Sequence, residues 1–369
     1  LPPADARRLL PELPGVLTGD QVRTTVAWIA GQQLTDGALP WFRGGQLDPW
    51  DSVEAAMALD VGGEHDRAAA AYRWLAGRQR PDGSWAAEYR DGAEVSADVE
   101  SNHAGYLAVG LWHRWLIARD EALVAELWPV VRRGLDLVVA MQLDGGAIGW
   151  ALRRDRTPDQ LALLTGNASL FQALRCGIAL AGLVGEPQPD WELAVGDLGT
   201  ALRTRPDAFA DRSRYSMDWY YPVLGGAVTG EQARERLAAG WDTFVVPGLG
   251  ARCVSDRPWV TGAETCELAL ALVVAGQRDA ALEQVAAMQH LRDDDGSYWT
   301  GYVFADDARW PIERTTWTAA AVLLAADALS GATPASGLFA DPAALPAAGT
   351  DDTAQPADWV PGGAGTARP

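Results

Sequence analysis

Two short acidic patterns stand where chemistry could begin. Asp48-Pro49-Trp50-Asp51 places two carboxyls three residues apart at the start of a helical pattern, with Glu54 one turn further on. That spacing puts Asp48 and Asp51 on one helix face, where both can address a single water molecule. The positive end of the helix dipole favours their ionised form, which suits a general base. Far along the chain, Trp259-Val260-Thr261-Gly262-Ala263-Glu264 opens an apolar run, with Glu267 one turn later. A partly buried carboxyl such as Glu264 can hold a raised pKa and serve as an acid. An acid on one side of a sugar and a base on the other is what glycoside hydrolysis requires. The plainer readings are a helix cap for Asp51 and a first-turn acid that stabilises its helix for Glu264. Glu54 and Glu267 read as supporting partners.

Polar and aromatic residues recur at the other helix starts. These are Glu100, Asn102 and His103; Thr165-Gly166-Asn167; Tyr215, Asp218, Trp219, Tyr220 and Tyr221; and Glu313, Arg314, Thr315 and Trp317. There are 17 Trp against 6 Phe, an excess that favours flat, polar-edged surfaces. Trp41, Trp50, Trp259, Trp299, Trp317, Tyr220 and Tyr221 are candidates to stack on sugar rings. Asn102, His103, Asn167, Asp218, Glu267 and Arg314 are candidates to take hydroxyls. His103 and His113 read equally as satisfied core or rim histidines. The triplet Asp293-Asp294-Asp295 reads as turn chemistry, so no metal or cofactor is expected; two carboxylates suffice.

The elements that must position these residues are helical. Periodicity predicts helices near 18–34, 51–61, 65–79, 100–118, 120–142, 167–184, 190–204, 217–228, 230–243, 262–275, 278–290 and 314–330, with Thr18 and Asp51 as N-caps. Every second helix is apolar nearly all round, as in Leu268-Ala269-Leu270-Ala271-Leu272. Six hairpins with an inner and an outer ring predict an all-α (α/α)6 toroid over residues 15–331. Residues 1–14 form an N-terminal extension. Residues 332–369, rich in Ala, Pro and Gly, read as a tail or surface strap. The long linkers 35–50, 80–99, 143–166, 205–216, 244–261 and 291–313 all fall at one end, where the ligand site is expected. A repeat punctuates four of the helices: Gln33 to Gly37, Gln79 to Gly83, Gln142 to Gly146, and His290 to Gly296, each followed by Trp. Its Asp-Gly turn stops a helix.

Composition excludes several classes. The 49 acidic and 30 basic residues give a formal charge of -19, which argues against nucleic acid and against an anionic membrane surface. All basic residues are Arg, so Schiff-base and P-loop lysine chemistry are impossible. No apolar run is long enough to span a membrane, the longest lying around Ala319 to Ala326. Three cysteines and no recognisable leader predict a cytoplasmic location. Oligomeric state is left open.

Two resemblances bear on function. The segment Gln79-Arg80-Pro81-Asp82-Gly83-Ser84-Trp85 looks like the repeat of squalene cyclases and protein prenyltransferases, which are also double helical rings. The acidic proton-donor tetrad of the former is missing. Glu264-x-Cys266 with His290 is a poor version of the zinc site of the latter. A terpenoid enzyme, or a non-catalytic glycan-binding toroid, is the alternative. The stronger resemblance rests on Ala38-Leu39-Pro40-Trp41-Phe42, on Gly44 to Asp51, on Arg214 to Pro222, on Arg257 to Glu267 and on Asp294 to Gly301. Over about residues 14–330 the chain is similar to the mycobacterial methylmannose polysaccharide hydrolases. That resemblance implies an endo-α-mannosidase that cuts α-1,4-linked 3-O-methylmannose chains by inversion in the cytosol, using Asp48, Asp51 and Glu264. A looser likeness to the inverting cellulases of family nine assigns the aspartate pair to the water and Glu264 to the leaving oxygen, an assignment that could be reversed.

Overall fold

The structure, a computed structural model, describes residues 10–96, 98–153 and 157–345. Twelve helices occupy the places expected for them. They are α1 (Gly19–Gln32), α2 (Pro49–Val61), α3 (His65–Ala76), α4 (Ser101–Ala118), α5 (Glu121–Ala140), α6 (Leu164–Val184), α7 (Pro189–Thr204), α8 (Ser216–Leu224), α9 (Gly230–Phe244), α10 (Gly262–Val274), α11 (Arg278–Ala287) and α12 (Thr316–Ser330). Thr18 caps α1 in a reciprocal box with Gln21. The cap of α2 is Asp48 rather than Asp51, because Pro49 takes the first helical position with its φ already set and no N–H to satisfy. Asp51 is thereby released into the first turn.

The all-apolar helices form the inner ring. Helix α2 packs on α4, α4 on α6, α6 on α8, α8 on α10, α10 on α12, and α12 returns to α2. The amphipathic helices lie outside, α3, α5, α7, α9 and α11 each packed against the inner helix that precedes it and α1 against α12 and α2. Helix α6 is long and apolar enough to cross a membrane by length and composition, which the sequence reading missed; here it is a mostly buried member of the inner ring.

The glutamine repeat fastens the outer helices to one another. The Gln33 amide donates to Gly37 O and reaches across to Arg67 O on α3 at 2.8 Å. Gln79 does the same to Val130 O on α5 at 2.8 Å, and Gln142 to Ala194 O on α7 at 2.9 Å. The aromatic folds back as expected at Trp85, whose indole N–H donates to Leu75 O of α3. The loop glycine lies against the same neighbouring helix: at Gly83, with φ +88°, a Cβ would stand 2.2 Å from Arg133 O. The motif that resembles a cyclase signature is thus a backbone staple. Gly83→Ala should cost about 1–3 kcal/mol, since both the left-handed φ and the close approach oppose it. A thermal melt checks this, and an unchanged melting temperature would refute the staple.

The expectation of an all-α chain needs a correction at the long linkers, which carry short strands. A hairpin joins β1 (Glu88–Arg90) to β2 (Ala93–Ser96), and β3 (Val99–Glu100) pairs with β4 (Ala151–Leu152). A five-stranded antiparallel sheet runs in order through β5 (Val245–Val246), β6 (Gly250–Arg252), β7 (Trp259–Thr261), β8 (Gly301–Val303) and β9 (Ala308–Arg309). Such pairs satisfy the backbone of linkers too long to leave unpaired. The segment after α12 also departs from a surface strap. It folds under the ring, where Leu338, Phe339 and Leu345 are buried and Arg175 of α6 donates to Leu345 O. Residues 346–369 of the expected tail, and residues 1–9 of the N-terminal extension, lie outside the described residues.

Candidate active site

The starts of the inner helices are joined in a closed circle. Ser101 N donates to Trp150 O ahead of α6 at 2.8 Å, and Thr165 Oγ1 donates to Asp218 of α8 at 2.6 Å. Ser216 N donates to Cys253 O ahead of α10 at 3.0 Å, and Gly262 N to Thr300 O ahead of α12 at 3.0 Å. Thr316 N donates to Trp41 O ahead of α2 at 2.7 Å. The sixth seam is His103 of α4, whose Nε2 lies 3.9 Å from Asp48 Oδ1. All six inner helices therefore begin at one mouth, and Asp48, Asp51 and Glu264 stand on the same rim.

At that rim Asp48 is held from two sides. Its Oδ1 accepts the Asp51 N–H and its Oδ2 accepts the Trp41 indole N–H, each at 2.9 Å. His103 lies equally far, 3.9 Å, from Glu100. Asp51 does not stay as freely ionised as its place on the helix dipole implied. Burial pushes its carboxyl well above the usual range, and the charges of Asp48, Glu54 and Glu267 add to the push. The dipole is worth roughly 1 kcal/mol, less than one pKa unit, and it acts against partial burial and three neighbouring carboxyls together. Glu264 opens α10 as a buried side chain, beside the Cys253 thiol.

One turn deeper, Glu54 accepts from Trp50 Nε1 and Tyr106 OH, each at 2.8 Å, and burial raises it to about 7. Opposite it, Glu267 accepts from Tyr220 OH and is pushed well above its usual range by burial and by Glu54. Trp50 lies against Tyr106 at 5.1 Å and edge-on to Tyr221 at 5.6 Å, so these rings form an aromatic floor. Trp317 stands at the start of α12, with its indole N–H buried and unpartnered. Asn102 is buried at the start of α4 with no protein hydrogen bond to its amide.

Five candidates are engaged by other residues. Asn167 accepts from Ile148 N and donates to Ile148 O and Leu163 O, so its amide clamps a loop and has no N–H left to give a sugar. Trp299 lies beneath the guanidinium groups of Arg309 and Arg314, at 5.3 and 5.1 Å. Arg314 is itself held by Asp293 and Ser297 of the neighbouring turn. Trp259 donates to Trp310 O and packs edge-on against that indole, beyond the floor. Asp218 is occupied by Thr165, although it sits on the rim. Asn167→Ala should therefore lower stability by about 1–3 kcal/mol and leave KM unchanged. A rise in KM without a loss of stability would return Asn167 to the ligand site. His113 is a buried core residue, as the plainer reading had it, but its Nδ1 has no partner, so it is not a satisfied one. Sequence reasoning missed Tyr106, though its place four residues after Asn102 puts both on one face of α4.

The helical ring is a fold that recurs among solved structures of low sequence identity. Solved structures of similar fold include a glycosidase, with TM-score 0.67 and 15% identity over 85% of this chain and 97% of that one. A GH63 mannosylglycerate hydrolase from Thermus thermophilus has TM-score 0.63 and 14% identity over 82% and 99% of the two chains. A D-mannose isomerase has TM-score 0.67 and 10% identity over 85% and 99%. These likenesses concern the fold alone, and no family model matches the sequence. The sequence itself is 56% identical over 333 residues to the MMP endo-(1,4)-3-O-methyl-alpha-D-mannosidase of Mycolicibacterium hassiacum, covering 89% of this chain and 92% of that one. The chain belongs to that mannosidase family and is a glycoside hydrolase.

Proposed function

We propose that this hydrolase is an endo-acting α-mannosidase that cleaves α-1,4-linked 3-O-methylmannose chains with inversion, within an (α/α)6 toroid. The observation that carries the mechanism is the placing of Asp48, Asp51 and Glu264 on one rim. Asp48, with both oxygens engaged, fixes the attacking water. Asp51 takes its proton; a carboxylate with a raised pKa is the stronger proton acceptor. Glu264 gives a proton to the leaving oxygen. Inversion needs carboxyls about 6.5–9.5 Å apart, with room for water between. Helices α2 and α10 are not neighbours in the ring, since α12 stands between them, which favours the wider spacing.

The substrate suits the site. A methylated mannan is neutral, so an acidic protein does not repel it, and its methyl groups offer apolar area worth about 25 cal/mol per Å² when buried against Trp and Tyr. The same acidity supports a protein without a nucleic-acid or membrane partner, and the three free cysteines support a cytoplasmic location. The test is incubation with methylmannose polysaccharide, mass analysis of the products and an NMR reading of the new reducing end. Shortened chains released as the inverted anomer support the reading. Retained configuration overturns the mechanism. Tight binding without cleavage points to a glycan-binding toroid, and cyclised products from a polyprenoid point to the terpenoid enzyme.

A further inference from the structure

Below the proposed catalytic carboxyls lies a second pair that the mechanism does not use. Glu54 is 4% and Glu267 3% exposed, each one turn beneath Asp51 or Glu264. Both line a small space of about 10 Å³, whose wall includes Tyr106, Tyr221 and Phe339. That is room for one water molecule. One oxygen of Glu54 takes two donors, and Tyr220 serves Glu267 Oε2. Glu267 Oε1 is buried without a partner at full hydrogen-bond geometry, and Tyr221 lies against the same carboxyl. Among the described residues, no arginine forms an ion pair with Glu54, Glu267, Asp51 or Glu264. Two buried carboxylates on one small space without a cation do not both ionise; they titrate as a unit.

The geometry points to Glu54 and Glu267 as a carboxyl pair that holds one proton between them across a single water, and so presents one negative charge to Asp51 from below. They are positioning residues, and the inference rests on the reading of Asp51 as the base. The other titratable groups facing the pair are Asp48 and Asp51 from α2, Tyr106 from α4, Tyr220 and Tyr221 from α8, Cys253 from the segment ahead of α10, and Glu264 and Cys266 from α10. Glu100 and His103 of α4 face Asp48. Helix α12 brings only Trp317 and apolar side chains. Direct burial and the pair's charge act on Asp51 in the same sense.

A pair sharing one charge has an unusual signature. In Glu54→Gln or Glu267→Gln the surviving carboxyl still carries the charge, so the acidic limb of kcat/KM against pH stays within a few tenths of a pH unit. In the double variant the charge is gone, and the limb moves down by about one pH unit. A single variant that moves the limb as far as the double, or a double that leaves it in place, overturns the proposal. Infrared spectra of protein carrying carbon-labelled glutamate read the proton without substrate. With Glu264→Gln as the background, so that the proposed acid contributes nothing, a protonated glutamic acid band should be present at neutral pH and should vanish when Glu54→Gln or Glu267→Gln is added. If one single variant does not fold, the other decides. The band present in a protein that cuts no methylmannan would sink the proposed function and keep the pair. Cleavage with no such band would do the reverse.

Discussion

Glu264→Gln should lose about 10²–10⁴ of kcat on methylmannose polysaccharide, the usual contribution of a general acid, with KM little changed. The loss should shrink to within about tenfold on an aryl mannoside whose phenolate leaves without a proton. Asp51→Asn should lose as much on both substrates, because water still has to be deprotonated whichever group departs. The contrast between the two substrates assigns the roles, which position on the rim alone does not separate. If the aryl substrate rescues Asp51→Asn and not Glu264→Gln, acid and base are reversed. If it rescues neither, Glu264 is not the acid.

Lowering the pH from 7 to 4 should destabilise the wild-type protein by several kcal/mol relative to His113→Leu. His113 is buried on α4 and its Nδ1 has no partner. Burial lowers it from 6.5 to about 3. The unfolded chain therefore binds a proton below pH 6.5 that the folded chain refuses until about pH 3. The stability that the neutral ring contributes is complete above 6.5 and drains away through that window, approaching roughly 5 kcal/mol at its foot. Glu54 acts in the opposite sense. Its folded value of about 7 exceeds the ordinary 4.5, so its contribution is full below 4.5 and lost as pH rises through 7. Subtracting the variant's denaturation free energy from the wild type's at each pH isolates the histidine, since every other group cancels. A flat difference between pH 7 and 4 would mean that the ring charges without penalty where it lies.

The helices were legible because each inner one is apolar nearly all round and four of the outer ones end at an Asp-Gly turn. The strands were not, since pieces of two to four residues such as Trp259–Thr261 are too short to show a period of two. The seat of Phe339 was equally invisible, in a segment with no periodicity. At the site, Asp48-x-x-Asp51 and Glu264 could be picked out because residue type and helix start coincide. The commitments of Asn167, Trp299 and Arg314 could not, because their partners lie in other loops and turns. The cap of α2 was misplaced by overlooking what Pro49 prefers, and the state of Asp51 by weighing a dipole without the burial that outweighs it.

The seam between α12 and α2 has a bearing on how the enzyme comes into being. A ribosome makes Asp48 and Asp51 early and Glu264 much later, and the last wall between them is not yet translated when Glu264 emerges. Until residues beyond 316 reach the start of the chain, the bowl is a horseshoe with an apolar gap. Contacts so distant in sequence slow folding and leave sticky surface exposed meanwhile. Activity should therefore arrive all at once with the final helix, and nascent chains stopped short of it should need a chaperone.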